Sequence, residues 1–148
     1  ELPEAETAQT GDDSCEGLFL YEENENGYTI IGRTEAGLDR SHLIIPTSHE
    51  GRPITDFSAE VFQNDTALET LVIQSNIRML YNDSFRGCSA LKTIELRQPK
   101  ASALSVGLEL LRGTENVTVL VQQERLADYL NDYFWGHYAG HYQTMQTN

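Results

Sequence analysis

Apolar positions recur along this chain with a fixed offset. The segment from Phe62 to Leu68, FQNDTAL, returns 23 residues later as FRGCSAL, from Phe85 to Leu91. The offset also holds outside this phrase, in three further pairs of apolar residues: Ile54 and Ile77, Phe57 and Leu80, and Leu71 and Ile94. Because these apolar positions share one register, the pattern predicts an internal structural repeat that buries them.

The segment after the phrase predicts a short strand in each repeat. Leu68–Asn76 reads LETLVIQSN and fits the pattern L-x-x-L-x-L-x-x-N, in which the leucine-type positions point into the core. The asparagine that ends this pattern hydrogen-bonds backbone groups at the bend after the strand. Leu91–Leu96 repeats the strand half, residues 111–117 echo the phrase at a longer offset, and residues 118–121 add another strand. A period of about 20–29 residues with this pattern is typical of leucine-rich repeats.

The two ends of the chain depart from the repeat. Two β-prone runs, residues 18–21 and 28–31, flank the dipeptide Asn26-Gly27, whose residues favour the positive φ values of a hairpin turn. After Gln123, apolar residues at i, i+3, i+4 and i+7 predict an amphipathic helix, and further aromatic residues follow: Leu126, Tyr129, Leu130 and Tyr133, then Phe134, Trp135, Tyr138 and Tyr142. A hairpin and an aromatic helix would cover the two open ends of a stack of repeats.

These elements predict a β-rich α/β leucine-rich-repeat solenoid, a short right-handed coil of about three repeats. We expect a single domain over residues 17–148, with an N-terminal hairpin cap at 17–41, repeats at 42–121 and a C-terminal helical aromatic cap at 122–148. Residues 1–16 contain six acidic side chains and almost no large apolar residue. We therefore expect them to form a disordered acidic leader or spacer outside the fold.

The charge balance narrows the range of partners. The chain has 23 acidic against 10 basic side chains, which gives a formal net charge of −13. Because this excess repels phosphate backbones and anionic membrane surfaces, we do not expect a nucleic-acid partner. No apolar run approaches the roughly 18–20 residues that a membrane-spanning helix needs, so we expect no integral membrane segment.

The two cysteines, Cys15 and Cys88, leave two interpretations open. A disulfide between them would tie the acidic leader to the solenoid. Alternatively, Cys88 is a small buried apolar residue at its repeat position, and Cys15 lies unpaired in the leader.

The histidines do not complete a catalytic or metal site in the sequence. His137 and His141 have the i, i+4 spacing of two ligands on a helix, but the glutamate of the zinc motif is missing and no third ligand lies nearby. His42 and His49 flank a short apolar strand, and no Ser or Cys motif is present to pair with them. We therefore predict no enzyme activity, no catalytic residue, no metal and no cofactor.

With these motifs, the chain resembles the BspA-type leucine-rich repeats of secreted and surface proteins, which are mostly bacterial. Units of that family carry the phrase I-x-x-I-x-x-x-A-F-x-x-C-x-x-L. Residues 77–91 match it with Ser84 in place of alanine, and residues 54–68 match it with Val61 and Asp65 as the substitutions.

The ends of the chain extend the resemblance to about residues 17–142. The family's I-P-x-x-x-x-G-x-P-V segment is similar to residues 45–54. Its closing V-x-V-P … L-x-x-Y … W-x-x-Y-A segment is similar to residues 119–139, where Gln122 replaces the proline. The resemblance implies an extracellular or cell-surface protein. Since the chain opens with Glu1 rather than Met, we expect that a signal peptide was removed.

The concave strand face of the solenoid is the best-motivated binding site. Alternate residues of a strand point away from the core, so six residues become candidate partner contacts: Thr70, Val72, Gln74, Thr93, Glu95 and Arg97. We predict a non-enzymatic extracellular or cell-surface module for protein interaction or adhesion, which binds a protein or a host or matrix component through this face. The alternative is a structural spacer or assembly subunit with no ligand of its own.

Overall fold

Two β-sheets run side by side along a coiled chain, and the repeats contribute strands to both of them. The structure is a computed structural model that describes residues 11–114 and 116–145. In chain order the strands are β1 (Phe19–Asn24), β2 (Gly27–Arg33), β3 (His42–Ile44), β4 (Ser48–His49), β5 (Arg52–Phe57), β6 (Thr70–Ile73), β7 (Met79–Leu80), β8 (Thr93–Leu96), β9 (Ser105–Val106), β10 (Thr118–Gln122) and β11 (Tyr142–Met145).

The five-stranded sheet keeps equivalent residues of successive repeats side by side. Its spatial order is β11-β10-β8-β6-β3, and all neighbours are parallel. Lateral pairing places four almost fully buried residues in one row: Leu43, Leu71, Ile94 and Val119. This row confirms that the apolar positions of the repeat form the core of a solenoid.

The second sheet begins with the predicted hairpin, which caps the solenoid. Strands β1 and β2 are antiparallel, and β2 then pairs in parallel with β5, which leads on to β7 and β9. Gly27 closes the hairpin against the backbone of Pro53, whose carbonyl oxygen would lie only 2.0 Å from a Cβ atom at position 27. The first position of β2 therefore requires glycine for close approach as well as for its own conformation.

A buried ion pair joins this hairpin cap to the first repeat. Arg33 Nη1 lies 2.5 Å from Asp65 Oδ2, and the exposed fractions of the two side chains are 7% and 2%. Asp65 stands where the resembled repeat has a cysteine, and its second oxygen accepts hydrogen bonds from the backbone N–H groups of Ala67 and Leu68. The substitution thus replaces a packing residue with one that binds the cap.

Each copy of the repeated phrase turns at a residue with left-handed backbone geometry. Asn64, Gly87 and Gly113 have φ values of 65°, 82° and 86°. These residues occupy the same place in FQND, FRGC and LRGT, which confirms the third, more divergent copy. A Cβ atom on Gly87 would lie 2.2 Å from Asn64 Oδ1 and 3.0 Å from Asn64 Cα, so neighbouring turns pack too closely there for a side chain.

Side-chain amides bind the backbone where the strands end. Asn76 Nδ2 donates to the carbonyl oxygens of Pro46 at 3.0 Å and Ile54 at 2.6 Å, which confirms the predicted role of this asparagine. In the next repeat Pro99 occupies the corresponding position. Gln98, one residue earlier, donates instead to the carbonyls of Gln74 and Ile77.

Residues 11–16 belong to the fold, so the predicted spacer of residues 1–16 is too long at its C-terminal end. Cys15 is only 8% exposed and packs in the core. The carboxylate of Asp13 accepts hydrogen bonds from Thr47 and Ser48. The acidic composition was misleading because these charges are satisfied by donors far along the chain. Residues 1–10 lie outside the described residues.

The C-terminal cap contains a shorter helix than the sequence predicts. Helix α1 spans Leu126–Asn131 and ends because Asp132 is extended and accepts hydrogen bonds from the backbone of Phe134 and Trp135. A 3₁₀ segment, Trp135–His141, follows it. Trp135 is 1% exposed and donates from Nε1 to the carbonyl of Leu104 at 2.8 Å, so the aromatic cap is confirmed.

Two details of the cap were not predicted correctly. The helical spacing placed Leu130 and Tyr133 on a buried face, but their exposed fractions are 41% and 72%. Tyr133 leaves that face because the helix ends at Asn131. In addition, Tyr142–Met145 forms β11, a fifth strand parallel to β10, in a region that the sequence assigned to the helical cap.

Breaking the Arg33–Asp65 pair should be costly. We expect Asp65→Asn to lower the free energy of unfolding by about 3–5 kcal/mol, because it leaves the buried Arg33 charge uncompensated. Asp83→Asn is the control, since its partner Arg112 is 56% exposed, and we expect a loss of at most about 1 kcal/mol. Urea denaturation followed by circular dichroism measures both, and equal losses would contradict a special role for the buried pair.

The close packing of successive turns predicts a second contrast. Gly87→Ala should lower the free energy of unfolding by about 1–3 kcal/mol, because alanine disfavours positive φ and its Cβ displaces Asn64. Gly140→Ala is the control, since nothing lies within 4 Å of a Cβ there, and we expect a change within about 0.5 kcal/mol. A loss at Gly140 as large as that at Gly87 would contradict the steric argument.

Candidate functional site

The outer side of the five-stranded sheet, which we call the strand face, presents two rows of side chains in register. The first row crosses the sheet through a histidine and three threonines: His42, Thr70, Thr93 and Thr118. The second row is mixed and contains Ile44, Val72, Glu95, Leu120 and Gln143. Neighbours within a row are spaced by about 4.8 Å, as adjacent strands are.

The structure separates the six predicted contact residues into two groups. Thr70, Thr93 and Glu95 are half-buried and Arg97 is exposed, as residues of an accessible face should be. Val72 and Gln74 are each only 3% exposed, so the expectation that they point to open solvent is wrong. The role of all six residues in binding remains a prediction.

Gln74 is buried because the N-terminal segment lies against its amide. Gln74 Nε2 donates to the carbonyls of Ile45 and Asp12, both at 2.7 Å, and the backbone N–H of Asp12 donates to Gln74 Oε1 at 2.9 Å. Strand alternation predicts which side of the sheet a residue occupies, but it does not reveal a distant segment that covers that side.

The uncovered part of the face, at β8 and β10, has a polar character with one ion pair. Arg97 Nε lies 2.7 Å from Glu95 Oε2, and the two side chains are 40% and 21% exposed. Thr93, Thr118 and Leu120 are half-buried beside them. Hydroxyls, a carboxylate and a guanidinium together can donate and accept hydrogen bonds to a partner segment.

Positive charges on the face act on the N-terminal segment. The backbone and side chain of Ser14 hold the pKa of Asp12 below its usual value, and attraction to Arg97 and His42 acts in the same direction. Asp12 therefore stays ionised to lower pH than an ordinary aspartate. The guanidinium of Arg97 thus attracts both the carboxylate of Glu95 and that of Asp12 in the N-terminal segment.

The histidine pair at the C-terminal cap lines a cavity of about 260 Å³, together with Glu109 and Arg112. Nδ1 of His137 bonds the carbonyl of Tyr133, and Nδ1 of His141 bonds the carbonyl of Val117. Since a carbonyl only accepts, both rings carry their proton on Nδ1. In residues 11–114 and 116–145, no group of three or more His, Cys, Asp or Glu side chains is arranged to hold a metal ion.

His49 is packed into the hairpin cap. Its ring stacks on Tyr21 with centroids 3.9 Å apart and meets the edge of Tyr28 at 4.8 Å. Its Nδ1 contacts the carboxylate of Glu16. These contacts tie the chain entry to the β4–β5 turn, which gives His49 a structural role.

The two cysteines are both free and buried, so the structure contains no disulfide between them. Burial raises the pKa of Cys88 to about 11, and its thiol donates to the carbonyl of Phe62 at 2.9 Å. Cys88 is therefore a packing residue, whereas a nucleophilic cysteine needs a lowered pKa.

Two solved structures that are similar to this chain identify the fold. A leucine rich cell surface protein from Faecalibacterium prausnitzii matches with a TM-score of 0.58 at 19% sequence identity, over 76% of this chain and 32% of that one. The leucine-rich-repeat protein of T. pallidum matches with a TM-score of 0.53 at 14% identity, over 88% of this chain and 62% of that one. The chain has the leucine-rich-repeat fold.

The matches to known proteins cover only part of the two similar structures. No family model and no curated protein matches the chain. The chain spans about a third of the length of the first leucine-rich-repeat structure and less than two thirds of the second. None of the helices in the described part of the chain is long and apolar enough to cross a membrane.

The environment of Cys88 predicts low thiol reactivity. In a Cys15→Ala variant, where Cys88 is the remaining thiol, a disulfide reagent at pH 8 should react at least about 100-fold more slowly with native than with unfolded protein, because the thiolate fraction falls with the raised pKa. Colorimetric release of the reagent's thiol measures both rates. Equal rates for a variant whose circular dichroism is native would contradict the buried, hydrogen-bonded position of Cys88.

Proposed function

We propose that this leucine-rich-repeat module is non-enzymatic and binds a protein partner through the uncovered part of the strand face. The observation that carries the proposal is that adjacent strands hold Thr93, Glu95, Thr118 and Leu120 in register. With Arg97, which directly follows β8, they remain accessible to a second molecule. Such a surface needs little reorganisation on binding, because its side chains stand on a hydrogen-bonded sheet.

The ion pair gives this surface its polar specificity. An exposed carboxylate–guanidinium pair contributes only about 0–1 kcal/mol to stability. Glu95 and Arg97 can therefore exchange their mutual contact for contacts with a partner at small cost to the fold. Complementary charges on the partner would raise the rate of association and fix its register on the face.

We place the module outside the cell or on its surface, in a bacterium, with adhesion to a protein or to a host or matrix component as its role. The BspA-type phrases support this placement. One structural neighbour is itself described as a cell surface protein. The alternative is a structural spacer or assembly subunit, which would behave as a monodisperse monomer and retain no partner.

Exchanging the charges of the ion pair tests the site. The double variant Glu95→Arg/Arg97→Glu keeps the mutual contact but reverses its polarity. We expect immobilised variant protein to retain at least about 10-fold less of the partner that the wild type captures from extracellular or matrix extracts, since like charges then meet across the interface. Quantitative mass spectrometry of the identified partner gives the measurement.

A second exposed ion pair provides the matched control. Glu23 and Arg52 pair at 2.9 Å on the hairpin side, away from the strand face. The exchange Glu23→Arg/Arg52→Glu should leave capture within about twofold of wild type. Equal capture by both double variants would move the site elsewhere, and a wild type that retains no partner would favour the spacer.

A further inference from the structure

The covered part of the strand face recognises the backbone of the segment that covers it. Gln74 accepts from the N–H of Asp12 and donates to the carbonyl of the same residue, at 2.9 and 2.7 Å. This pair of contacts copies the way in which a strand pairs with its neighbour. These two contacts involve only the peptide backbone of Asp12. They therefore do not depend on which side chain stands at position 12.

Close packing against the repeat favours glycine at position 11 of the segment. Gly11 has a φ of 77°, and a Cβ atom there would lie 2.4 Å from Thr47 Cγ2 and 2.9 Å from Gln74 Oε1. A larger residue is disfavoured both by its backbone preference and by contact with the side chains of Thr47 and Gln74. The surface therefore accepts glycine immediately before the residue that Gln74 binds.

The next two positions are read by charge. The Asp13 carboxylate accepts from the N–H and the hydroxyl of Thr47, at 2.6 and 2.7 Å, and from the hydroxyl of Ser48 at 3.2 Å. The carboxylate of Asp12 accepts a hydrogen bond from the backbone N–H of Ser14 at 2.8 Å within its own segment, and attraction to Arg97 and His42 adds to this more weakly. Together with the left-handed glycine at position 11, these contacts match a Gly-Asp-Asp sequence.

The contacts of residues 11–13 are separate from those that anchor the chain entry. Gly11 and Asp13 are exposed and Asp12 is half-buried, and hydrogen bonds join Asp12 and Asp13 to the solenoid. The anchor lies at the residues that follow, since Cys15 packs in the core and Glu16 contacts His49. Residues 11–13 can therefore leave the surface while Cys15 holds the chain in place. Their departure would uncover the amide of Gln74.

We propose that Gln74, Thr47 and Ser48 form a recognition site for a Gly-Asp-Asp segment of a partner protein, and that residues 11–13 occupy this site in the free protein. The inference rests on the proposed function, because the site is continuous through Arg97 with the uncovered face. Charge complementarity and the bound internal copy define the partner's chemistry. The partner must displace that copy in order to bind.

Peptide binding to a released site tests the proposal. The probe is a fluorescein-labelled, end-blocked peptide with the sequence of residues 10–14, followed by fluorescence anisotropy with the full chain. Gly11→Val weakens the internal copy by strain and steric contact, so this variant should bind the peptide at least about 10-fold more tightly than wild type, in which the tethered copy competes at an effective concentration of about millimolar. Binding to folded Gly11→Val no tighter than to wild type would overturn the proposal.

Matched variants show whether Gln74 and the glycine of the peptide are needed for binding. Adding Gln74→Ala to Gly11→Val should abolish the gain, and a peptide with valine in place of glycine should not bind. If Gly11→Val proves unfolded by circular dichroism, Asp13→Asn, which keeps the shape and removes the charge, takes its place with the same expectation. A gain that survives Gln74→Ala would overturn the assignment.

Two outcomes distinguish failure of this inference from failure of the proposed function. If the peptide fails to bind but the Glu95/Arg97 exchange still reduces partner capture, the proposed function stands and this inference is wrong. Exchange of residues 11–13 between two copies is the competing arrangement. It would appear in light scattering as a concentration-dependent dimer of the wild type that an excess of the peptide does not dissociate, and this result would overturn the assignment to a partner protein.

Discussion

Each repeat of this solenoid must bring its strand back into lateral register with the strand of the preceding repeat. Lateral pairing of Leu71 with Ile94, and of Ile94 with Val119, is the result of that constraint. The left-handed turns at Asn64 and Gly87 and the buried amides of Asn76 and Gln98 maintain it from opposite ends of the repeat. Because the core and the strand face share these strands, a shift in register would disorganise both together.

The parts of the fold that sequence reasoning captured are those set by local chemistry. The β-prone runs around Asn26-Gly27 specified a hairpin, whose two-residue loop is Glu25-Asn26, one position earlier than the sequence predicts. The repeated phrase specified buried positions, and both features depend on residues near one another in the chain. Gln74 was assigned to solvent because alternation along a strand carries no information about residue 12, which lies 62 positions away. The helix after Gln123 was overextended because the apolar period continues past Asp132, whose side chain begins a new turn.

The acidic character of the chain has a different meaning in different places. The net charge of −13 argues against polyanionic partners, and that argument depends only on the total charge of the chain. At Asp13 and Asp65 the surroundings matter more, because backbone N–H groups, hydroxyls or a guanidinium donate hydrogen bonds to each carboxylate. Composition therefore assigned the wrong environment to the segment that enters the fold, because it carries no information on which donors surround each carboxylate.

The spacing between laterally paired residues is not constant along the chain. Thr70 pairs with Thr93, which is 23 residues later, whereas Thr93 pairs with Thr118, which is 25 residues later. The extra residues are accommodated in the path between strands, since the register of the sheet itself is unbroken. Evolution can thus lengthen or shorten the loops on the far side of the coil independently of the strand face. Such loops would let related modules diversify on one side while their strands keep a common geometry.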